Sequence, residues 1–163
     1  IDLRMPSAYK TYKEGEKIVW FQRDTDKGTV NVLAYELNEH AKKDHNLKEI
    51  IKKRDSIGKL FIPGRNEDSH MITEEAYEPY FKKLKINELE SIETRGTWEV
   101  KNDFMAWPFV NYIIKDTINN RILVLEGFVF SPSSKKRNLI FELEAIIRSI
   151  KIYKKKRTKE LVF

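Results

Sequence analysis

The sequence predicts an α+β fold in which an antiparallel sheet carries two main helices packed on it. Three observations predict it. Ile92 to Pro132 reads as three strands, the second and third joined by a tight turn, and Lys17 to Leu37 reads as a second hairpin. The two helical stretches, one opening at Asn46 and one near Ser133, lack the βαβ alternation with strands that a parallel sheet requires.

In chain order, Ile1 to Met5 reads as a short strand ended by Pro6-Ser7. Lys17 to Arg23 and Thr29 to Leu37 are strand-like, and Asp24-Thr25-Asp26-Lys27-Gly28 between them has turn chemistry. Asn46 is placed to cap a helix, with Glu49 three residues on to complete a capping box. Leu47, Ile50, Ile51, Ile57 and Phe61 form its apolar stripe, interrupted by Arg54, and Pro63-Gly64 ends it. Met71 to Thr73 reads as another strand, whereas Pro79 splits Glu74 to Leu84 and leaves that run ambiguous.

Ile92, Trp98 and Val100 alternate with Glu93, Arg95, Thr97 and Glu99, a period of two that sends one face inward and a charged face outward. Phe109 to Lys115 and Arg121 to Phe130 are rich in Val, Ile, Phe and Tyr, and Asn119-Asn120 between them tolerates positive φ. Pro108 cannot donate to a ladder, so it is expected at the first position of its strand, with Asn102 to Trp107 as the connecting loop. Ser133 or Ser134 is the expected cap of the last helix. There Leu139, Ile140, Leu143, Ile146, Ile147 and Ile150 recur at helical spacing, and Glu142, Glu144 and Arg148 take the wet side.

At 163 residues and 40% hydrophobic content the chain fits one domain, expected over 1–152, followed by a basic tail over 153–163. The formal net charge is +6, and much of the excess sits in Lys151 to Lys159. With no cysteine, disulfides, thiolate catalysis and Cys-ligated zinc are excluded, and either cytosol or periplasm suits the chain. No apolar run approaches the roughly 18 residues of a membrane-spanning helix, and no signal peptide is visible. The start at Ile1, without Met and in strand-like sequence, leads us to expect a fragment of a longer precursor.

Several uncommon words stand in order along the chain. They are Lys53-Arg54-Asp55-Ser56, Pro63-Gly64, Arg95-Gly96-Thr97-Trp98-Glu99, Asn102-Asp103-Phe104-Met105, Pro108-Phe109, Glu126-Gly127-Phe128-Val129, and Lys136-Arg137-Asn138 followed by Leu143-Glu144-Ala145-Ile146. On these, Ile1 through Ile150 resembles the C-terminal half of a Bacteroidetes lipoprotein family, the domain of unknown function family 4837; it departs from that pattern at Ala106-Trp107, where two small residues are expected. The resemblance implies a lipidated, secreted precursor with an upstream domain, anchored in the cell envelope as an outer-membrane lipoprotein facing the periplasm. It implies no activity. The element order is also similar to the α/β/α sandwich of PsbP-like proteins, a fold-level likeness that says little of function.

Glu126 is the sharpest chemical candidate, because a lone carboxylate inside the apolar run Ile122 to Phe130 needs a partner. Arg95 is the expected one, with Glu93 and Glu99 competing for it. A structural ion pair is one reading; a carboxylate acid or base working with Asp103, as in a hydrolase, is the other. Trp98, Phe104, Met105, Trp107, Phe109 and Phe128 gather around the Asn102 to Phe109 loop, either as core and lid or as a surface for a protein or apolar ligand.

The remaining motifs exclude more than they assign. His40 and His45 lie in a polar segment and are expected to face solvent, and no HExxH, glycine-rich phosphate loop or GxSxG occurs. Asn102-Asp103 lacks the further oxygen ligands of a calcium loop, so no metal and no cofactor is expected. Lys154-Lys155-Lys156-Arg157 is either a solvated tail or a contact for phosphates and anionic headgroups, and without interleaved aromatics nucleic acid is not an expected partner. The sequence therefore points to a non-catalytic binding or assembly domain. Its candidate surface is Arg95, Trp98, Asn102, Asp103, Phe104, Trp107 and Glu126, and its expected partner is an envelope protein or a small ligand.

Overall fold

The computed structural model describes residues 1–103, 106–132 and 136–154. Among them eight strands form one antiparallel sheet. The strands are β1 (Lys10–Gly15), β2 (Ile18–Thr25), β3 (Gly28–Leu37), β4 (Met71–Thr73), β5 (Tyr80–Ile86), β6 (Leu89–Val100), β7 (Ala106–Asp116) and β8 (Arg121–Phe130). Their order is β1-β2-β3-β8-β7-β6-β4, and β5 shares the outer side of β6 with β4. Helix α1 (Leu47–Phe61) follows β3, and α2 (Lys136–Arg148) follows β8.

Period-two alternation along the central strands makes two cores. Val32 and Ala34 of β3, Val110 and Tyr112 of β7, and Leu123 and Leu125 of β8 pack on Leu143, Ile146 and Ile147 of α2. The intervening residues Leu33, Tyr35, Phe109, Ile113, Val124 and Phe128 face Ile50 and Ile57 of α1. Each helix therefore covers one face, as the predicted sandwich requires.

The β2–β3 hairpin forms as expected. Gly28 closes it at φ 146°, where a Cβ would fall 1.9 Å from the Phe130 carbonyl oxygen. Asn120 takes the expected positive φ in the β7–β8 connection, where the Asp116 carboxylate accepts from Asn119 and Arg121. The α1 cap is also as expected, with Glu49 N donating to Asn46 Oδ1 at 2.9 Å and Asn46 N to Glu49 Oε2 at 3.1 Å.

Four details differ from expectation. Among the described residues the Ile1 to Met5 stretch makes a single bridge, Asp2 to Lys151, and no second strand runs beside it. β1 is fully exposed, so it carried no hydrophobic period to detect. The ambiguous run ends in β5, hairpinned to β6 through Asn87 and Glu88, both at positive φ; a glutamate there gives no turn signal. Pro108 is the third residue of β7, not the first. It is tolerated because only β6 pairs there, and the ladder to β8 begins at Phe109. The expected Ser133 or Ser134 cap and the run Lys155 to Arg157 lie outside the described residues.

Candidate functional site

The register lines up Thr94 of β6, Asn111 of β7 and Glu126 of β8 as one polar row on the α1 face. Arg54 reaches this row from α1, its Nη2 standing 2.9 Å from Glu126 Oε1, and both side chains are only 3% exposed. Asn111 Nδ2 donates to Glu126 Oε2 at 2.9 Å. The guanidinium carbon of Arg54 lies 3.9 Å from the centre of the Phe109 ring, and Nη1 donates to Thr73 Oγ1 at 2.9 Å. Thr73 in turn donates both its amide and its hydroxyl to Asp55, which staples β4 to α1. Burial first, then the Glu126 charge, raises the Tyr35 phenol above its ordinary pKa and keeps it neutral. This is an ion pair already filled from within.

The expected Arg95–Glu126 pair is therefore corrected. Arg95 pairs in register with Val110, which faces α2, whereas Glu126 pairs with Asn111, which faces α1. The two side chains lie on opposite faces of the sheet. Arg95 instead donates to Glu93 at 2.6 Å and to Glu144 of α2, and these two carboxylates, Glu93 first, raise its pKa further. Arg148 joins the same group through Glu93, so Glu144 is not simply a wet-side residue but a tether of α2.

Trp98 and Trp107 are core residues, with Trp107 only 7% exposed and its ring 5.3 Å from that of Trp98. They offer little accessible surface to a partner. Exposed Asn102, at φ 65°, and half-buried Asp103 turn the chain after β6. From the Glu126 row at Thr94 to Val100, beside Asp103, is six residues of strand, roughly 20 Å. Glu126 and Asp103 are thus not brought together. Phe104 lies outside the described residues.

A second cluster was not anticipated. His45, expected in solvent, is only 3% exposed, and its Nε2 lies 2.7 Å from Glu39 Oε2. Lys43 and Lys53 also donate to Glu39, at 2.8 and 2.6 Å, tying the β3–α1 connection to the helix. Burial would raise the Glu39 pKa, but the three donors outweigh it and bring the pKa down to about 2. Because the folded value lies below the unfolded one, the stabilisation is complete above about pH 4.5 and disappears as pH falls toward 2. In full such a displacement is worth about 3 kcal/mol, and water at this half-open loop screens it to about 1 to 2. Glu39→Gln is accordingly expected to lower stability to denaturant by that amount at pH 7, with the gap narrowing below about pH 4.5 and closing as pH falls toward 2.

His45 also lines a groove around the N-terminal half of α1. Two contiguous hollows of about 840 and about 620 Å³ share Asn46, Leu47, Glu78 and Pro79. Leu47, Ile51, Pro79 and Phe81 supply apolar surface, and Glu74, Glu75 and Glu78 come from the β4–β5 connection. Tyr77 and Tyr80 of the same segment are 78% and 57% exposed. A concave, mostly apolar surface of this volume with a few polar groups has the form of a ligand site. Its signal in the sequence was Glu74-Glu75-Ala76-Tyr77-Glu78-Pro79-Tyr80, an acidic aromatic run in a basic chain.

No curated protein matches the chain. Among solved structures it is similar to a protein from Bacteroides thetaiotaomicron VPI-5482 determined at 1.50 Å, at 13% identity and a TM-score of 0.50. The match covers 94% of this chain and 45% of that protein, so this chain spans under half of its length, and at this identity the likeness shows the fold alone. The STAR-related lipid transfer protein of Xanthomonas axonopodis is similar at 11% identity and a TM-score of 0.43, over 88% of this chain and 96% of that one. The family model described as a domain of unknown function, DUF4837, matches residues 1–149, and the chain belongs to that family.

Proposed function

We propose that this is a non-catalytic binding or assembly domain of an envelope lipoprotein, and that the groove around the start of α1 is its working surface. The observation that carries the reading is the convergence of apolar lining, the unpaired Glu75 and Glu78 and the exposed Tyr80 on two adjoining hollows of ligand size. The buried carboxylate that invited a hydrolase is paired with Arg54 and accepts a hydrogen bond from Asn111. The envelope setting rests on the sequence resemblance.

A photoreactive side chain at Tyr80 of the full-length protein, expressed in its own host, tests the reading. Tyr153, 59% exposed and outside the groove, is the control position. An adduct of defined mass from position 80, recovered with the membrane fraction and absent from position 153, is expected. Equal labelling at both positions, or none at position 80, overturns the assignment.

A further inference from the structure

We infer that the groove takes a basic, partly apolar peptide segment, its Arg or Lys side chains set against Glu74, Glu75 and Glu78 and over Tyr77 and Tyr80. The inference rests on the binding reading above and names the class of ligand.

The first ground is charge. The chain carries a formal +6, yet residues 74–81 hold three glutamates and no Lys or Arg. Glu75 and Glu78 have no ion-pair or hydrogen-bond partner among the described residues, so their charges are free to act outward. Glu74 accepts from the Ala76 amide at 2.5 Å, which shapes the segment that presents them. Carboxylates elsewhere behave differently: Glu36 of β3, Glu93 of β6, and Glu142 and Glu144 of α2 are each held by an arginine of this chain. An acidic patch left unpaired in a cationic protein repels the anionic ligands that the rest of its surface attracts, and attracts cationic ones.

The second ground is the aromatic content. An exposed tyrosine face attracts a guanidinium or ammonium through the ring quadrupole, and the chain's own Lys82 already stands 5.9 Å from the centre of Tyr80. Tyr77 and Tyr80 flank Glu78 in sequence, the interleaving of ring and carboxylate that suits Arg.

The third ground is His45, a groove-lining residue buried to 3%. Its Nε2 stands 2.7 Å from Glu39 Oε2, and its Nδ1 has no partner among the described residues. The groove wall thus holds a buried polar atom that the described residues leave unpaired. The apolar floor of Leu47, Ile51, Pro79 and Phe81 then accounts for the apolar half of the segment.

The test is an amide-resolved NMR titration of the 163-residue chain with a short synthetic peptide alternating Arg and Leu, and with its counterpart carrying Glu for Arg. Shifts confined to 44–51 and 73–83 with the basic peptide, weakening about tenfold in Glu75→Lys/Glu78→Lys and weakening further with added salt, are expected. Both substituted side chains are exposed, so an unchanged unfolding midpoint shows the variant is folded. Preference for the acidic peptide, or binding insensitive to the double substitution, overturns the basic-ligand class and leaves the groove as a binding surface. Shifts at these residues on raising protein concentration alone point to a second copy of the chain and also overturn it. Silence toward both peptides combined with a Tyr80 adduct in the host overturns the peptide class only, whereas silence in both experiments removes the binding reading with it.

Discussion

Glu126→Gln is expected to destabilise the domain by about 3 to 5 kcal/mol, read from denaturant unfolding at neutral pH. The substitution removes the carboxylate that neutralises Arg54, and Arg54 cannot turn to water because its side chain is 3% exposed under α1. Asp55 is the nearest remaining carboxylate, at 3.7 Å from Arg54 Nη1, but its Oδ1 already accepts from the Thr73 amide and hydroxyl. Asn111 also loses the charged acceptor of its amide. The double variant Glu126→Leu/Arg54→Met is expected to recover most of the loss, since replacing both members of a buried pair by apolar groups removes the uncompensated charge. Lys85→Ala is the control. Its ion pair with Glu88 is exposed at both ends, so the effect should stay below about 1 kcal/mol. A Glu126→Gln protein as stable as the parent would mean that the pair does not hold α1 to the sheet, and with it would fall the case against Glu126 as a reactive group.

How much of this was legible follows from the range over which each signal acts. The α1 cap and the β2–β3 hairpin depend on residues within five positions of one another, and both formed as read. The partner of Glu126 lies 72 positions away, and its identity depends on which face each strand presents. Part of that information was present in the sequence. Arg95 alternates with Trp98, and Glu126 shares parity with Phe128, which packs edge-on against Trp98; Arg95 therefore had to fall on the other face. Arg54, read as an interruption, sits four residues after Ile50 and three before Ile57, inside the buried stripe. A charged residue at such a position asks for a buried partner of opposite sign, and Glu126 is the one inside an apolar strand. The groove was illegible for another reason. Its walls, the start of α1 and the 74–81 segment, meet only because β4 and β5 share one side of β6.

Gly58→Ala is the second large effect, and its sign runs against helix propensity. In an exposed helix interior the change stabilises by about 1 kcal/mol. At Gly58 the added Cβ would lie 2.1 Å from the Met71 carbonyl oxygen and 3.0 Å from its carbon, atoms of the β4 backbone. A side chain would rotate away, but the β4 backbone is fixed on both sides: to β6 by its ladder, and to α1 through Met71 N on the Ile62 carbonyl and Thr73 N on Asp55. The helix must move instead. Arg54 is one turn earlier on the same helix, so any retreat of α1 from β4 lengthens the contact with Glu126 that the first prediction disrupts from the other end. A net loss of about 2 to 3 kcal/mol is expected from this overpacking, and Ser56→Ala on the exposed side of α1 is expected to be neutral or slightly stabilising. The two losses should be strongly non-additive, since each weakens the same docking of α1, and a double-mutant cycle between Gly58→Ala and Glu126→Gln measures that coupling. Additive losses would show that β4 and the Arg54 pair hold the helix independently.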